Sequence, residues 1–303
     1  MDLKYPRTLC VILHYGSESY TNECINSLLN LKYLDIIISD NDPSQSYQPP
    51  KEIKNFVKTV KTGGEAGFAE GNNIVVNAYL DKYHGSVLIL SNDTIVIEGA
   101  IDCLRDTLYS EGGTVGAVGP CMPFVSNTNK IWACGGYINK FKVTAGGLQP
   151  KGKQPYQVDY LPGAAILCRS EVWKDVGGLN EEYYMAYEEA EFALEIKKKK
   201  FKVMVNPRAI ILHHVGLTSQ VSPENYYNSI RNRLIFSKYL YGKNIGFVYA
   251  AIVTFLAFFK PRPFKENYQR IKLWSKAILD YLKNKSLNRQ TLQKIAREFK
   301  NYN

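Results

Sequence analysis

The sequence predicts an α/β domain built on a mostly parallel sheet, continued by a helical, basic C-terminal extension. Three observations carry that expectation. Short apolar runs alternate with helical patterns through the first half of the chain, as βαβ units require. Several of those runs are apolar throughout, as expected of strands covered on both faces. The charge is also uneven: the 303 residues carry a formal +10, and residues 260–303 hold twelve basic side chains against three acids, a net +9. A near-neutral body with a basic tail argues against nucleic acid as a partner and for an anionic surface facing the tail.

The elements follow in order. Thr8–His14 is a continuous apolar strand, and Cys24, Ile25, Leu28 and Leu29 mark one stripe of the next helix. Asp35–Ser39 is a strand ending in Asp40-Asn41-Asp42-Pro43. A strand near Phe56–Val60 leads through a glycine-rich turn, Gly63 to Gly67, into a helix reaching about Tyr83. Ser86–Leu90 is the next buried strand and stops at Ser91-Asn92-Asp93-Thr94. Gly112–Gln157, rich in Gly, Asn and Thr, reads as irregular with a hairpin. Beyond it come a strand at Ala164–Cys168, an acidic helix from about Tyr187, and two strands at Lys202–Val205 and Ala209–His213. Ser222-Pro223-Glu224 opens a long helix, with Ser as N-cap, Pro at the first helical position and an acid in the first turn. Phe247–Phe259 is apolar on all sides, Pro261 and Pro263 break the chain, and two basic amphipathic helices complete it. The expected division is a catalytic domain over residues 1–221 and a basic helical extension over 222–303.

Composition narrows the setting. With 45% hydrophobic and 13% aromatic residues the chain can build a core, which excludes a disordered protein. Six cysteines form no CxxC pair, so a zinc site and a disulfide framework are both disfavoured. The early apolar run Leu9–Leu13 is too short for a signal peptide, and no stretch reaches the ~18 apolar residues of a spanning helix. The expected location is cytoplasmic, peripheral at the inner face of the plasma membrane.

Ligands of open parallel sheets sit beyond the carboxyl ends of the strands, where His14, Asp40 and Asp93 stand. Asp93 is suited to a divalent cation through its oxygens, though Asn-Asp after a strand is also an ordinary turn. Asp40 is suited to a nucleobase N–H or a ribose hydroxyl; an Asx turn is the plain alternative. Tyr15 is placed to stack on a base or simply to pack. Gly67 opens a helix where a ligand could approach backbone N–H groups. Glu188, Glu189 and Glu191 cluster at a helix start, where repulsion raises a carboxyl toward the range of a general base, or where acids merely complement the helix dipole. Strand alternation puts His213 and His214 on opposite faces, so one at most points into a site.

Taken in order, these segments resemble the family 2 inverting glycosyltransferases of GT-A type, in particular the bacterial rhamnosyltransferase-like subgroup of surface-polysaccharide synthesis. The resemblance runs from about Thr8 to Phe236. It rests on Glu23-Cys24-Ile25-x-Ser27-Leu28, Asp40-Asn41, Gly67-Phe68-Ala69-x-Gly71-Asn72-Asn73 and Leu90-Ser91-Asn92-Asp93-Thr94. It continues through Pro162-Gly163-Ala164-Ala165, Val176-Gly177-Gly178-Leu179-Asn180-Glu181, Tyr187-Glu188-Glu189-x-Glu191, His213-x-x-Gly216 and Tyr227-x-x-x-Arg231-Asn232. Three positions depart: Ser91 replaces the first member of the metal motif, Glu65 stands where Asn is usual, and Glu189 takes the place of the Asp base.

The resemblance implies transfer of one sugar from a nucleotide-diphosphate donor, a dTDP- or UDP-sugar such as a rhamnose donor, to a hydroxyl of a glycan or lipid-linked acceptor, with inversion. It implies Glu189 as base with Glu188 beside it, and Mg²⁺ or Mn²⁺ on Asp93 assisted by His213. His14, Tyr15, Asp40, Gly67, Asn73 and Asn92 would hold the nucleotide, with Arg231 as a reserve cation for the phosphates. Two rivals remain open. A sugar-nucleotide pyrophosphorylase would need a basic glycine-rich loop after the first strand, which His14-Tyr15-Gly16-Ser17-Glu18 does not supply. A catalytically silent homologue acting as a scaffold would fail to hydrolyse or transfer any donor.

Overall fold

The computed structural model describes residues 4–81, 84–110, 112–215, 222–242, 264–285 and 287–299, with single positions 246, 248 and 252. Four parallel strands form one half of a ten-stranded sheet: β1 (Arg7–His14), β2 (Leu34–Asp40), β3 (Val57–Lys61) and β4 (His84–Ser91). Next come the short β5 (Thr94–Val96), then β6 (Val115–Phe124), β7 (Asn127–Cys134), β10 (Tyr156–Gln157), β11 (Ala165–Arg169) and β12 (Lys202–His213). The spatial order is β10-β12-β6-β11-β4-β1-β2-β3, with β11 antiparallel between β6 and β4. A separate hairpin pairs β8 (Gly136–Asn139) with β9 (Thr144–Gly147). The expected α/β architecture is present.

Helices cover both faces. On one lie α1 (Glu18–Asn26) and α3 (Ala100–Ser110); on the other lie α2 (Phe68–Tyr79), α4 (Ser170–Val176), α5 (Glu188–Lys198) and α6 (Pro223–Tyr241). Successive residues of β1 and β4 divide between the two cores: Leu9, Val11, Val87 and Ile89 face the α2 side, and Cys10, Ile12, Leu88 and Leu90 face the α1 side. Burial on both faces explains why these strands lack polar alternation.

Two readings of the sequence are corrected. Gly112–Gln157 holds the long central strand β6 and the edge strand β7. Gly116, Gly119 and Pro120 interrupt β6's apolar pattern, yet the two glycines are packing positions. A Cβ on Gly116 would lie 2.8 Å from Ile196 and Phe201, and one on Gly119 2.7 Å from Leu161. The two strands expected between Lys202 and His213 are one, β12, whose register against β6 shifts between Asn206 and Ile210, around Pro207.

The expected boundary at residue 221 falls just before α6, which serves two cores. Ile235 and Phe236 join the sheet core, while Tyr227, Ile230 and Leu234 pack with Leu273, Ala277 and Ile278 of α7 (Phe264–Leu282) and Ile295 of α8 (Arg289–Glu298). Ser222 accepts a hydrogen bond from the Asn225 amide at 3.3 Å, as its position predicts. Gly216 and most of Phe247–Phe259 lie outside the described residues.

Candidate active site

Register brings the strand ends together: β1 sets His14 opposite Asp40 of β2 and Leu13 opposite Ser91 of β4. The turn after β2 is made by Asp42, whose carboxylate accepts from the Ser44 amide at 3.0 Å and the Gly16 amide at 3.1 Å. Asp40 is fully buried; its Oδ1 accepts from the Asp42 amide at 3.3 Å, the Asx-turn contact, while Oδ2 keeps no partner. Tyr15 beside it is 48% exposed.

His14 and Asn92 act as braces in this structure. His14 is 2% exposed, lies 2.6 Å from Thr21 Oγ1 through Nδ1, and stacks on Tyr47. Burial pushes its pKa below the usual imidazole value, against the pull of Asp40. Asn92 Nδ2 donates to Thr21 Oγ1 at 2.9 Å and to the Tyr15 carbonyl at 3.1 Å. Together they fix the Tyr15 turn.

Asp93 and His213 meet across β5 and β12. His213 Nε2 is 3.3 Å from Asp93 Oδ1, and neither that oxygen nor His213 Nδ1 has a hydrogen-bond partner. Trp132 closes on the imidazole at 4.5 Å. His214 turns the other way, to Glu23 at 3.0 Å, as alternation requires. A buried carboxylate oxygen facing an imidazole fits a divalent cation. Among the described residues no cluster of three or more His, Cys, Asp or Glu forms, so such a cation would draw further ligands from substrate oxygens and water.

The second half of the site is a ledge made by residues 179–187 and the first turn of α5. Ala186 (φ 73°) and Tyr187 (φ 79°) are both left-handed, an arrangement that costs about 1–3 kcal/mol per non-glycine residue and needs outside support. Helix α6 supplies it: Asn232 Nδ2 donates to the Met185 and Ala186 carbonyls at 2.7 and 2.8 Å, and Asn228 Nδ2 to the Met185 carbonyl at 2.8 Å. Arg231 belongs to the same clamp. Its Nη1 and Nη2 donate to the Glu182 and Lys285 carbonyls at 3.3 and 2.6 Å, so the guanidinium expected to face phosphate is committed to backbone.

From the opposite side α2 grips the same ledge. Asn73 Nδ2 donates to the Leu179 carbonyl at 2.7 Å and to Glu181 at 2.8 Å, and its Oδ1 accepts from the Leu179 amide at 3.0 Å. The Phe68 amide donates to the Tyr184 carbonyl at 2.7 Å, an approach only Gly67 permits, since a Cβ there would collide with that carbonyl. Gly67 and Asn73 therefore seat the ledge.

Glu188 and Glu189 emerge from this ledge with different surroundings. Glu191 is consumed, accepting from Tyr183 at 2.6 Å and Asn180 at 2.8 Å. Glu188 is buried, and burial together with the Glu189 charge pushes its pKa well above the usual carboxyl value. Glu189 is partly exposed, and loss of water raises it to about 7, opposed by backbone amides at the helix start. Each keeps Oε2 buried without a partner. The Glu189 charge acts on Tyr160, next to the β8–β9 hairpin, whereas Glu188 acts on Tyr183 beneath the ledge.

The site so assembled holds a carboxyl raised to about 7, an aspartate with one unpartnered oxygen and an Asp–His pair. Residues 6–234 match the glycosyltransferase like family 2, about three quarters of the chain. The chain belongs to that family. A curated relative, the low-salt glycan biosynthesis hexosyltransferase Agl10 of Haloferax volcanii, is 23% identical over 253 residues, covering 78% of this chain and 76% of the relative. Two solved structures share the fold. GalNAc-T7, crystallised with UDP, GalNAc and Mn²⁺, superposes with a TM-score of 0.61 at 15% identity, over 93% of this chain and 57% of its own. Residues 1–349 of S. aureus TarS superpose at 0.54 and 12% identity, over 91% and 80%.

As a family 2 glycosyltransferase, the chain uses its motif residues for two purposes that the sequence does not separate. Asp40, Tyr15, Asp93, His213, Glu188 and Glu189 present free or exposed groups; His14, Asn92, Gly67, Asn73 and Arg231 hold backbone. Of the clamp residues, Asn232 closes the Tyr227-x-x-x-Arg231-Asn232 motif without a role of its own and Asn228 belongs to no motif, though two asparagines four apart among Tyr227, Ile230 and Leu234 were the available signal. Arg289 also reaches the strand ends, and no local pattern marks it.

Proposed function

We propose that this glycosyltransferase transfers one sugar from a nucleoside diphosphate donor to a hydroxyl of a glycan or lipid-linked acceptor, inverting the anomeric carbon. The observation that carries the reading is Glu189, raised to about 7 with an unpartnered oxygen. The acceptor oxygen bonds to the anomeric carbon as the carbon–oxygen bond to the diphosphate breaks. Glu189 Oε2 takes the hydroxyl proton, and the nucleoside diphosphate leaves with the bonding electrons. A base near the working pH is the best compromise between being ionised and being basic. A single displacement of this kind inverts.

On the donor side, Asp40 and Tyr15 would take the base and ribose. Asp93 and His213 would hold Mg²⁺ or Mn²⁺, which supplies positive charge to the departing diphosphate. The rhamnosyltransferase-like resemblance favours a dTDP- or UDP-sugar, rhamnose included, and a role in surface-polysaccharide synthesis at the cytoplasmic face of the membrane.

Membrane contact fits α7. Tyr268, Ile271, Leu279 and Leu282 are exposed, and at about 100° per residue they fall within an arc of about 80°. Lys272 and Lys283 border the stripe and are exposed too. An apolar stripe edged with lysines suits the interface of an anionic bilayer, at about 1 kcal/mol per basic residue near the surface. Val248 and Ile252, the described positions of the Phe247–Phe259 segment, are also exposed. Among the described residues no helix is long and apolar enough to cross a membrane.

A panel of nucleotide sugars, assayed for release of free nucleoside diphosphate with acceptor present, tests the transfer. Release with an inverted linkage supports it; silence across the panel returns the scaffold reading. Co-sedimentation with anionic vesicles tests the membrane contact, which equal binding by Leu279→Asp/Leu282→Asp would remove.

A further inference from the structure

The unexpected group at the strand ends is Arg289. It is the first residue of α8, after Asn288, whose Oδ1 caps the helix by accepting from the Thr291 amide at 2.9 Å. Its side chain runs from the C-terminal extension to the end of β2. Nη2 donates to the Asn41 carbonyl at 3.1 Å, Nε to the Tyr184 hydroxyl at 3.4 Å, and the guanidinium carbon lies 4.6 Å from the centre of the Tyr15 ring. The residue is 7% exposed, and Nη1 is buried with no partner.

A buried cation with an unsatisfied donor is costly to leave alone, and everything around it is built to hold it there. Tyr15 sets the plane of the guanidinium and two acceptors fix its direction. Glu65 Oε2 accepts from the Gln290 amide at 3.2 Å, anchoring the turn that delivers it. Glu65 is one of the three positions where the sequence departs from the family pattern, and here that departure is the receptor for α8. The contrast with Arg231 is direct, since Arg231 commits Nη1 and Nη2 to carbonyls.

We propose that Arg289 is a donor-binding residue: its free Nη1 takes a phosphate oxygen of the nucleoside diphosphate, which makes the C-terminal helix part of the donor site. The proposal rests on the reading of the strand ends as a nucleotide-sugar site. A guanidinium suits the task because its planar fork matches phosphate oxygens and stays charged at any working pH. The role that the sequence offered to Arg231 thus passes to a residue 58 positions further on.

Calorimetric titration of the full chain with UDP, dTDP, uridine and thymidine tests this, with Arg289→Gln and Arg289→Lys beside the wild type. Gln keeps a donor and most of the packing, Lys keeps the charge, and thermal unfolding checks that each variant is folded. The expected result is that Gln weakens diphosphate binding about tenfold or more, Lys less, while nucleoside binding stays within about twofold. Unchanged diphosphate binding by Arg289→Gln overturns the proposal, and tighter binding overturns it too, by making the arginine an occupant of the site. A wild-type chain that binds neither diphosphate removes the reading of the strand ends itself. Binding by wild type that the variants match removes only Arg289.

Discussion

Two acidic centres lie in this molecule, and they are kept in opposite ways. Asp93 follows a strand with an imidazole 3.3 Å away and one carboxylate oxygen left without a hydrogen-bond partner. Glu189 lies in the first turn of a helix with no salt bridge to it among the described residues, and loss of water raises its pKa to about 7. Carboxyl side chains of nearly the same chemistry thus stand in different surroundings, one against an imidazole and the other stripped of water. The support differs as well. Asp93 is fixed by neighbouring strands, whereas Glu189 stands on a strained loop gripped by α2 and α6.

The largest effect that would break this contrast is loss of the base. Glu189→Gln is expected to retain donor binding and to lower transfer by about 10²–10⁴-fold, measured as initial rates at saturating donor. Its wild-type acid limb should lie near pH 7, with activity rising as the carboxyl ionises. Glu188→Gln should keep that limb, and a dead Glu188→Gln beside a fast Glu189→Gln would exchange their roles. At the other centre, EDTA or Asp93→Asn should weaken nucleotide binding by about 10- to 100-fold. Full binding in EDTA would leave Arg289 as the phosphate cation.

Asn232→Ala sharpens the comparison at the level of support. It removes two hydrogen bonds from the left-handed pair Ala186–Tyr187, so kcat should fall about tenfold, the equivalent of about 1.4 kcal/mol. Nucleotide affinity should not move, because the strand ends do not depend on that clamp. A loss shared equally by both would show the two halves to be one unit.

The smallest effect is on stability. Glu188 is raised well above its ordinary value by burial, so the folded chain keeps a proton that the unfolded chain releases above about pH 4.5. Stability contributed by the buried protonated form is full below that pH and declines as pH rises toward the folded value. Glu188→Gln lacks the decline, so its Tm should match wild type near pH 4 and exceed it by about 2–4 °C at pH 8 for each kcal/mol regained. A gap independent of pH would argue against a buried protonated Glu188.

Much of the fold was legible because β1, β2 and β4 are buried on both faces and announce themselves as unbroken apolar runs. β6 was not, because its glycines report contacts with Leu161, Ile196 and Phe201, which lie far along the chain. The ends of strands and the acidic helix start were legible as places. Which residues there face a ligand was not: Asn73 and Arg231 look like binding residues in sequence, and only three-dimensional neighbours reveal that Arg231 donates to backbone carbonyls and Asn73 to the Leu179 carbonyl and the Glu181 carboxylate. Asp40 and Asp42 both take Asx-turn contacts, and only the folded chain reveals that Asp40 does so through Oδ1 alone, leaving Oδ2 open.

The contact between Arg289 and Asn41 has a consequence in time. It joins residues 248 positions apart. At about 5–20 residues per second of synthesis, β2 leaves the ribosome some 12–50 s before the arginine does, long enough for the early strands to collapse. A pairing so distant in sequence carries a high closure cost and belongs to the slow end of folding. The strand end is therefore synthesised well before the arginine that contacts it, and on the role proposed for Arg289 the donor site would be completed late.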